Sequence, residues 1–75
     1  MLMIDMQATG KNITDMRKAR GITVHDIQCK MGFNTNQAIY KWQRGDSMPT
    51  IDNLVILADM FHVKIDDIIV VNYMM

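Results

Sequence analysis

Gln37, Tyr40, Lys41 and Arg44 stand at i, i+3, i+4 and i+7. At about 100° per residue, this spacing gathers them on one face of a helix. Ala38, Ile39 and Trp42 fall on the opposite face. The polar face carries two cations, no acid and several planar hydrogen-bonding groups. An amide such as Gln37, or Asn36 just before it, sets a donor beside an acceptor. That pair matches the edge of adenine in the DNA major groove and is worth ~1–3 kcal/mol of base discrimination. Tyr40 can meet a thymine methyl group or a phosphate. Lys41 and Arg44 would neutralise phosphates, which adds affinity but little sequence information. The same pattern also describes an ordinary solvated helix face, so the neighbouring elements matter.

A first helix is expected over about Met6–Arg20 with Asp5 as its N-cap. Met6, Gly10, Ile13 and Met16 form its inward stripe. Gly10 lies inside this pattern, where it costs ~1 kcal/mol relative to alanine, so a close packing contact is expected there. The second helix opens after Thr23, with Asp26 three residues later as in a capping box, and ends at Gly32. Ile27 and Met31 face the core. Only Gly32, Phe33 and Asn34 then precede a third helix at about Thr35–Arg44, capped by Asn34 or Thr35. So short a link forces two helices to cross steeply, as in a helix-turn-helix.

After Gly45 a loop leads to Thr50, the N-cap of a fourth helix with Ile51, Leu54, Leu57, Ala58 and Phe61 on its apolar face. A short fifth helix spans roughly Ile65–Ile69, with Asp66 and Asp67 in its first turn. The apolar ends, Met1–Ile4 and Ile69–Val71, either fray or pair as a two-stranded edge, within one chain or between two.

The 75 residues suit one small domain, which buries only ~60% of its unfolded surface. A lone cysteine, Cys29, cannot form an internal disulfide and suits a reducing cytoplasm. No apolar run has the roughly 18–20 residues of a membrane span, and Met1-Leu2-Met3-Ile4, cut short by Asp5, is not a signal peptide. The formal net charge is zero. Through Gly45, however, seven basic residues face three acidic ones, and from Asp46 onward one faces five. The neutral total hides a basic half that contains the third helix and an acidic half that follows it. It argues against indiscriminate nucleic-acid binding, not against a nucleic-acid partner.

Residues 13 to 69 resemble the XRE/Cro phage-repressor type of helix-turn-helix protein. The matching pieces are Ile13-x-x-Met16-Arg17, Gly21-Ile22-Thr23, Met31-Gly32-Phe33 and the run from Gln37 to Gly45. Pro49-Thr50-Ile51-Asp52-Asn53-Leu54 and Val63-Lys64-Ile65-Asp66-Asp67-Ile68-Ile69 follow in the family's order. The resemblance implies an all-α, five-helix repressor-type domain whose second and third helices form the reading unit. It also implies a transcriptional regulator that binds a palindromic operator as a dimer.

Three positions and one turn depart from the family pattern: the turn before the third helix is one residue longer than usual, which leaves Asn34 or Thr35 as its cap. Val24 stands where many members carry a backbone-contacting Gln. Gln43 stands where many carry a Glu paired with the arginine matched by Arg17, so that pair becomes at most a hydrogen bond. Gln28 replaces a small buried alanine.

Other chemistry is poorly served. His25 and Cys29 share a face of the second helix, but zinc sites need three or four ligands. No phosphate loop, nucleophile elbow or paired catalytic carboxylates occur. No enzyme, metal or cofactor is therefore expected. Met6, Met16, Met31 and Met60 read as core filler and Trp42 as a core anchor.

The expectation is a single cytoplasmic domain over residues 1–75, with a helix-turn-helix unit at about 23–44 and a tail at 70–75. Its partners are double-stranded DNA and a second copy, with no membrane or small-molecule ligand. Asn36, Gln37 and Tyr40 are the expected base contacts, and Thr23, Thr35, Lys41 and Arg44 the phosphate contacts. The alternative is a protein-interaction module, antitoxin-like or an adaptor, with weak DNA binding. The apolar stretch from Ile68 to Met75 is the candidate dimer interface.

Overall fold

The computed structural model describes residues 1–73; Met74 and Met75, the end of the expected interface tail, lie outside them. The elements in order are β1 (Leu2–Ile4), α1 (Met6–Ala19), α2 (Val24–Met31), α3 (Gln37–Arg44), α4 (Ile51–Phe61), α5 (Ile65–Ile68) and β2 (Val71–Tyr73). Five helices thus carry the chain, and the two terminal strands pair antiparallel within it.

Side-chain caps start three of the helices. Asp5 accepts from the Ala8 amide at 2.9 Å, Thr23 from the Asp26 amide at 3.0 Å and Thr50 from the Asn53 amide at 3.4 Å. Each offsets one of the amides that a helix N-terminus leaves without a partner. At Thr23 the capping box is complete, because Asp26 accepts from the Thr23 amide at 2.9 Å.

The third helix starts later than the spacing predicts. It opens at Gln37 rather than Thr35, and its N-cap is Asn36 rather than Asn34 or Thr35. Asn36 sits at φ −100°, ψ 6°, outside the extended region from which a cap side chain reaches back, and it makes no capping bond. The fourth helix differs as well. Ile51, expected on the apolar face, is 69% exposed in the first turn. The fifth ends at Ile68, where extended Ile69 turns the chain toward β2.

One core joins all five helices through Ile13, Val24, Ile27, Ile39, Trp42, Leu54, Leu57, Ala58, Phe61 and Ile68. Met16, Met31 and Met60 fill in around it, while Met6 is half-buried. The Phe33 ring meets Trp42 edge-on, with centroids 5.8 Å apart and planes at 66°.

Gly10 is where α1 presses on α3. A Cβ there would run into the carbonyl oxygens of Trp42 and Gln43. From the other side, a Cβ on Gly45 would lie 2.8 Å from the Gln7 Cα. Arg17 adds a polar clasp, donating through Nε to the Gln43 Oε1 at 3.0 Å and through a terminal nitrogen to the Ile22 carbonyl at 3.1 Å. This is the hydrogen bond that the sequence allows in place of an ion pair.

The terminal strands, α1 and α5 are tied together by polar contacts. The Val70 amide donates to the hydroxyl of fully buried Thr9 at 2.9 Å, and the Asp5 amide to the Val70 carbonyl at 2.8 Å. Asn12 donates to the Ile68 carbonyl at 3.1 Å, and Asn72 to the Asp5 carboxylate at 3.0 Å. Ile68 is fully buried and belongs to the core rather than to an interface.

Gly10→Ala tests the helix contact with a sign opposite to helix propensity. Alanine favours the helix by ~1 kcal/mol, but overpacking against rigid backbone costs ~1–3 kcal/mol or more. Thermal unfolding should show a net loss of stability, whereas a stabilised variant would contradict the packing. A second prediction concerns acid. The Ala8 amide and then the Asn72 side chain hold the Asp5 carboxyl below the usual carboxylate range. A lowered folded-state pKa adds stability above the unfolded value, and that stability is lost as pH falls through the folded one. Asp5→Ala should therefore flatten the fall in melting temperature at acid pH. Superimposable acid profiles for variant and parent would contradict that role.

Candidate nucleic-acid interface

Burial of Ile39 and Trp42 fixes how α3 is turned. With these residues in the core, Gln37, Tyr40, Lys41 and Arg44 are all exposed on the outer face of the helix. Asn36 and Thr35 are exposed just ahead of it. Because Asn36 makes no capping bond, its amide is not committed to its own helix. The late start of α3 thus leaves Asn36 at the helix entrance beside Gln37, rather than within the first turn.

Thr23 is exposed at the start of α2. Its hydroxyl oxygen accepts from the Asp26 amide, and the hydroxyl also bonds the Asp26 carboxylate. Val24 is buried and serves packing, not an outward contact. Gln28 is half-buried and donates to the Phe33 carbonyl at 3.4 Å, so it holds the turn between α2 and α3.

Two acids border this surface; Asp26 pairs with Thr23 as the capping box predicts, whereas the pairing of Asp46 is not evident in the linear spacing. Asp26 completes the cap at α2, where hydrogen bonds from Thr23 are the main cause of its lowered pKa. Asp46 lies just past α3 and accepts from Arg44 Nε at 2.9 Å, with both side chains more than half exposed. A further ion pair, Lys11–Asp15, lies on the exposed side of α1. Lys41 carries the unopposed cation of the α3 face.

On α2, His25 Nε2 and Cys29 Sγ lie 3.4 Å apart and exposed. Among the described residues no group of three or more His, Cys, Asp or Glu side chains converges on a point that could hold a metal.

A family model described as helix-turn-helix matches residues 13–68, spanning all five helices except the first half of α1. The chain belongs to the XRE-type helix-turn-helix family. Among curated proteins none matches the sequence. Three solved structures share the fold of this helix-turn-helix chain. The restriction-modification controller protein C.AhdI from Aeromonas hydrophila superposes with a TM-score of 0.74 at 17% identity, covering 85% of this chain and 96% of that one. The DNA-binding domain of BldD gives 0.69 at 21% identity, covering 87% and 93%. The S. venezulae BldD DNA-binding domain gives 0.68 at 22%, covering 85% and 94%. The family and fold are those of DNA-binding transcription regulators. No helix of the described residues is long and apolar enough to cross a membrane.

Asp46 holds the Arg44 guanidinium and sets a negative charge beside it, so it would compete with any phosphate brought to this face. Asp46→Asn should raise affinity for duplex DNA several-fold for all sequences alike, measured by fluorescence anisotropy at fixed salt. Unchanged or weaker binding would show that the pair orients Arg44 instead of withholding it.

Proposed function

We propose that this helix-turn-helix chain is a sequence-specific DNA-binding transcriptional regulator that reads the major groove with α3 and acts as a homodimer on a palindromic operator. In this reading residues 1–75 work as one cytoplasmic domain, with the reading unit at about 23–44. One observation carries it. The core residues of α3 turn Gln37, Tyr40, Lys41 and Arg44 together to solvent, and that face bears two cations and no acid.

Roles follow from chemistry. Asn36 and Gln37 pair with base edges, and Tyr40 contacts a thymine methyl group. Lys41 and Arg44 meet phosphates, joined by the hydroxyls of Thr23 and Thr35. The Val24 and His25 amides, which no cap engages, support a phosphate at the α2 N-terminus. Asp26 and Asp46 temper this attraction, so affinity depends on base contacts as well as charge.

Selection from a random DNA pool should return a site with two-fold symmetry. With about four phosphate contacts per protomer, log K should fall against log salt with a slope near −7 for a dimer, about −0.9 per contact. Gln37→Ala should relax preference at one or two positions, while Lys41→Ala should weaken binding to every sequence alike. Unchanged specificity in the Gln37 variant would remove its assigned role. Little DNA affinity at any salt would favour a protein-interaction module instead.

A further inference from the structure

The register of the terminal ribbon gives it two unlike sides. Leu2 pairs with Tyr73, Met3 with Asn72 and Ile4 with Val71. Directly opposed residues share a face, so Leu2, Ile4, Val71 and Tyr73 lie on one side and Met3 and Asn72 on the other. On the second side Asn72 is bonded to Asp5, and Met3 is the one large apolar side chain, 47% exposed. The first presents four large apolar side chains to solvent, 56, 48, 44 and 79% exposed. None of the six strand residues carries a charge at neutral pH.

We propose that this apolar ribbon face seats the same face of a second copy of the chain. Four observations point to that occupant. The four residues expose roughly 500 Å², so two apposed faces bury at most about 1,000 Å², the lower bound of a specific interface. A two-fold contact sets a patch against itself, which suits a surface without charge. The other exposed apolar pair, Ile51 and Val55 on α4, shares its stripe with Asp59 and adjoins Asp52, so self-apposition there would bring acids together. Lastly, a ribbon of two three-residue strands is marginal in water by itself, and a covering copy supplies the missing burial.

The contact would also position the reading helices. Thr9 and Asp5 fasten the ribbon to α1 through Val70, Asn12 ties α1 to the end of α5, and α1 carries α3 through Gly10. Ribbon pairing therefore relates the two α3 helices through a short, stiff path, as half-sites one helical turn apart require.

This inference rests on the homodimer reading, and its test separates the two. Sedimentation velocity over a dilution series should show the full chain dissociating from dimer to monomer without DNA. Ile4→Lys should raise the dissociation constant at least ten-fold. Met3→Lys, on the other side of the same strand, should leave it within about two-fold. Tyr73→Ser, at a largely exposed position, provides a second variant on the apolar face with little risk to folding, which circular dichroism would verify. A chain that stays monomeric throughout would overturn both the dimer and its interface. A dimer equally sensitive, or equally insensitive, to Ile4→Lys and Met3→Lys would overturn the ribbon face alone.

Discussion

The close approach of α1 to the carbonyl end of α3 is the constraint on which the rest of the molecule depends. With no side chain at Gly10, the α1 backbone settles against the Trp42 and Gln43 carbonyls, and the Gly45 backbone settles against Gln7. Two glycines, one in α1 and one capping α3, thus seat each segment on the other at α3. Arg17 spans the same junction through Gln43 and Ile22. Once α3 is held at this distance, Ile39 and Trp42 have only the core to enter. The polar residues three and four positions away must then face solvent together. The orientation of the proposed reading surface is a consequence of backbone packing behind it.

Electrostatics refine what packing sets up. The basic half of the chain supplies the cations of α3, yet Asp26 and Asp46 stand at the borders of that surface and engage Thr23 and Arg44. An exposed pair of this kind adds little to stability, typically 0–1 kcal/mol. Its larger effect is on a polyanionic partner, because each carboxylate subtracts from the attraction that drives non-specific binding. Neutral net charge and a focused cationic face are therefore compatible.

Much of this is legible in the chain, and each part that is not has its own physical reason. Asp5, Thr23 and Thr50 announce their helices because a capping side chain acts within three residues. Gly10 stood out because a helix-breaking residue in a regular stripe needs a packing reason. The start of α3 differs from the spacing because Asn34, Thr35 and Asn36 are all of cap-forming type, and Asn36, where the helix opens, makes no capping bond to mark it. Ile51 fits the apolar period of α4 but lies in its first turn, beyond the reach of the core. The Thr9–Val70 bond, the Asn12–Ile68 bond and the two-sided ribbon join positions more than 50 residues apart. No local spacing encodes such contacts. At the site, the exposed face of α3 followed from periodicity, whereas the Arg44–Asp46 pair depended on how the chain leaves the helix.

The central claim is that the outward face of α3 is the surface that meets DNA. Backbone amide chemical shifts, followed while a selected duplex is titrated into the protein, test it most directly. The largest changes should fall on residues 35–44 and at Thr23–His25, with the terminal ribbon unaffected once the protein is dimeric. Changes concentrated elsewhere, with residues 36–44 silent at saturation, would contradict the account.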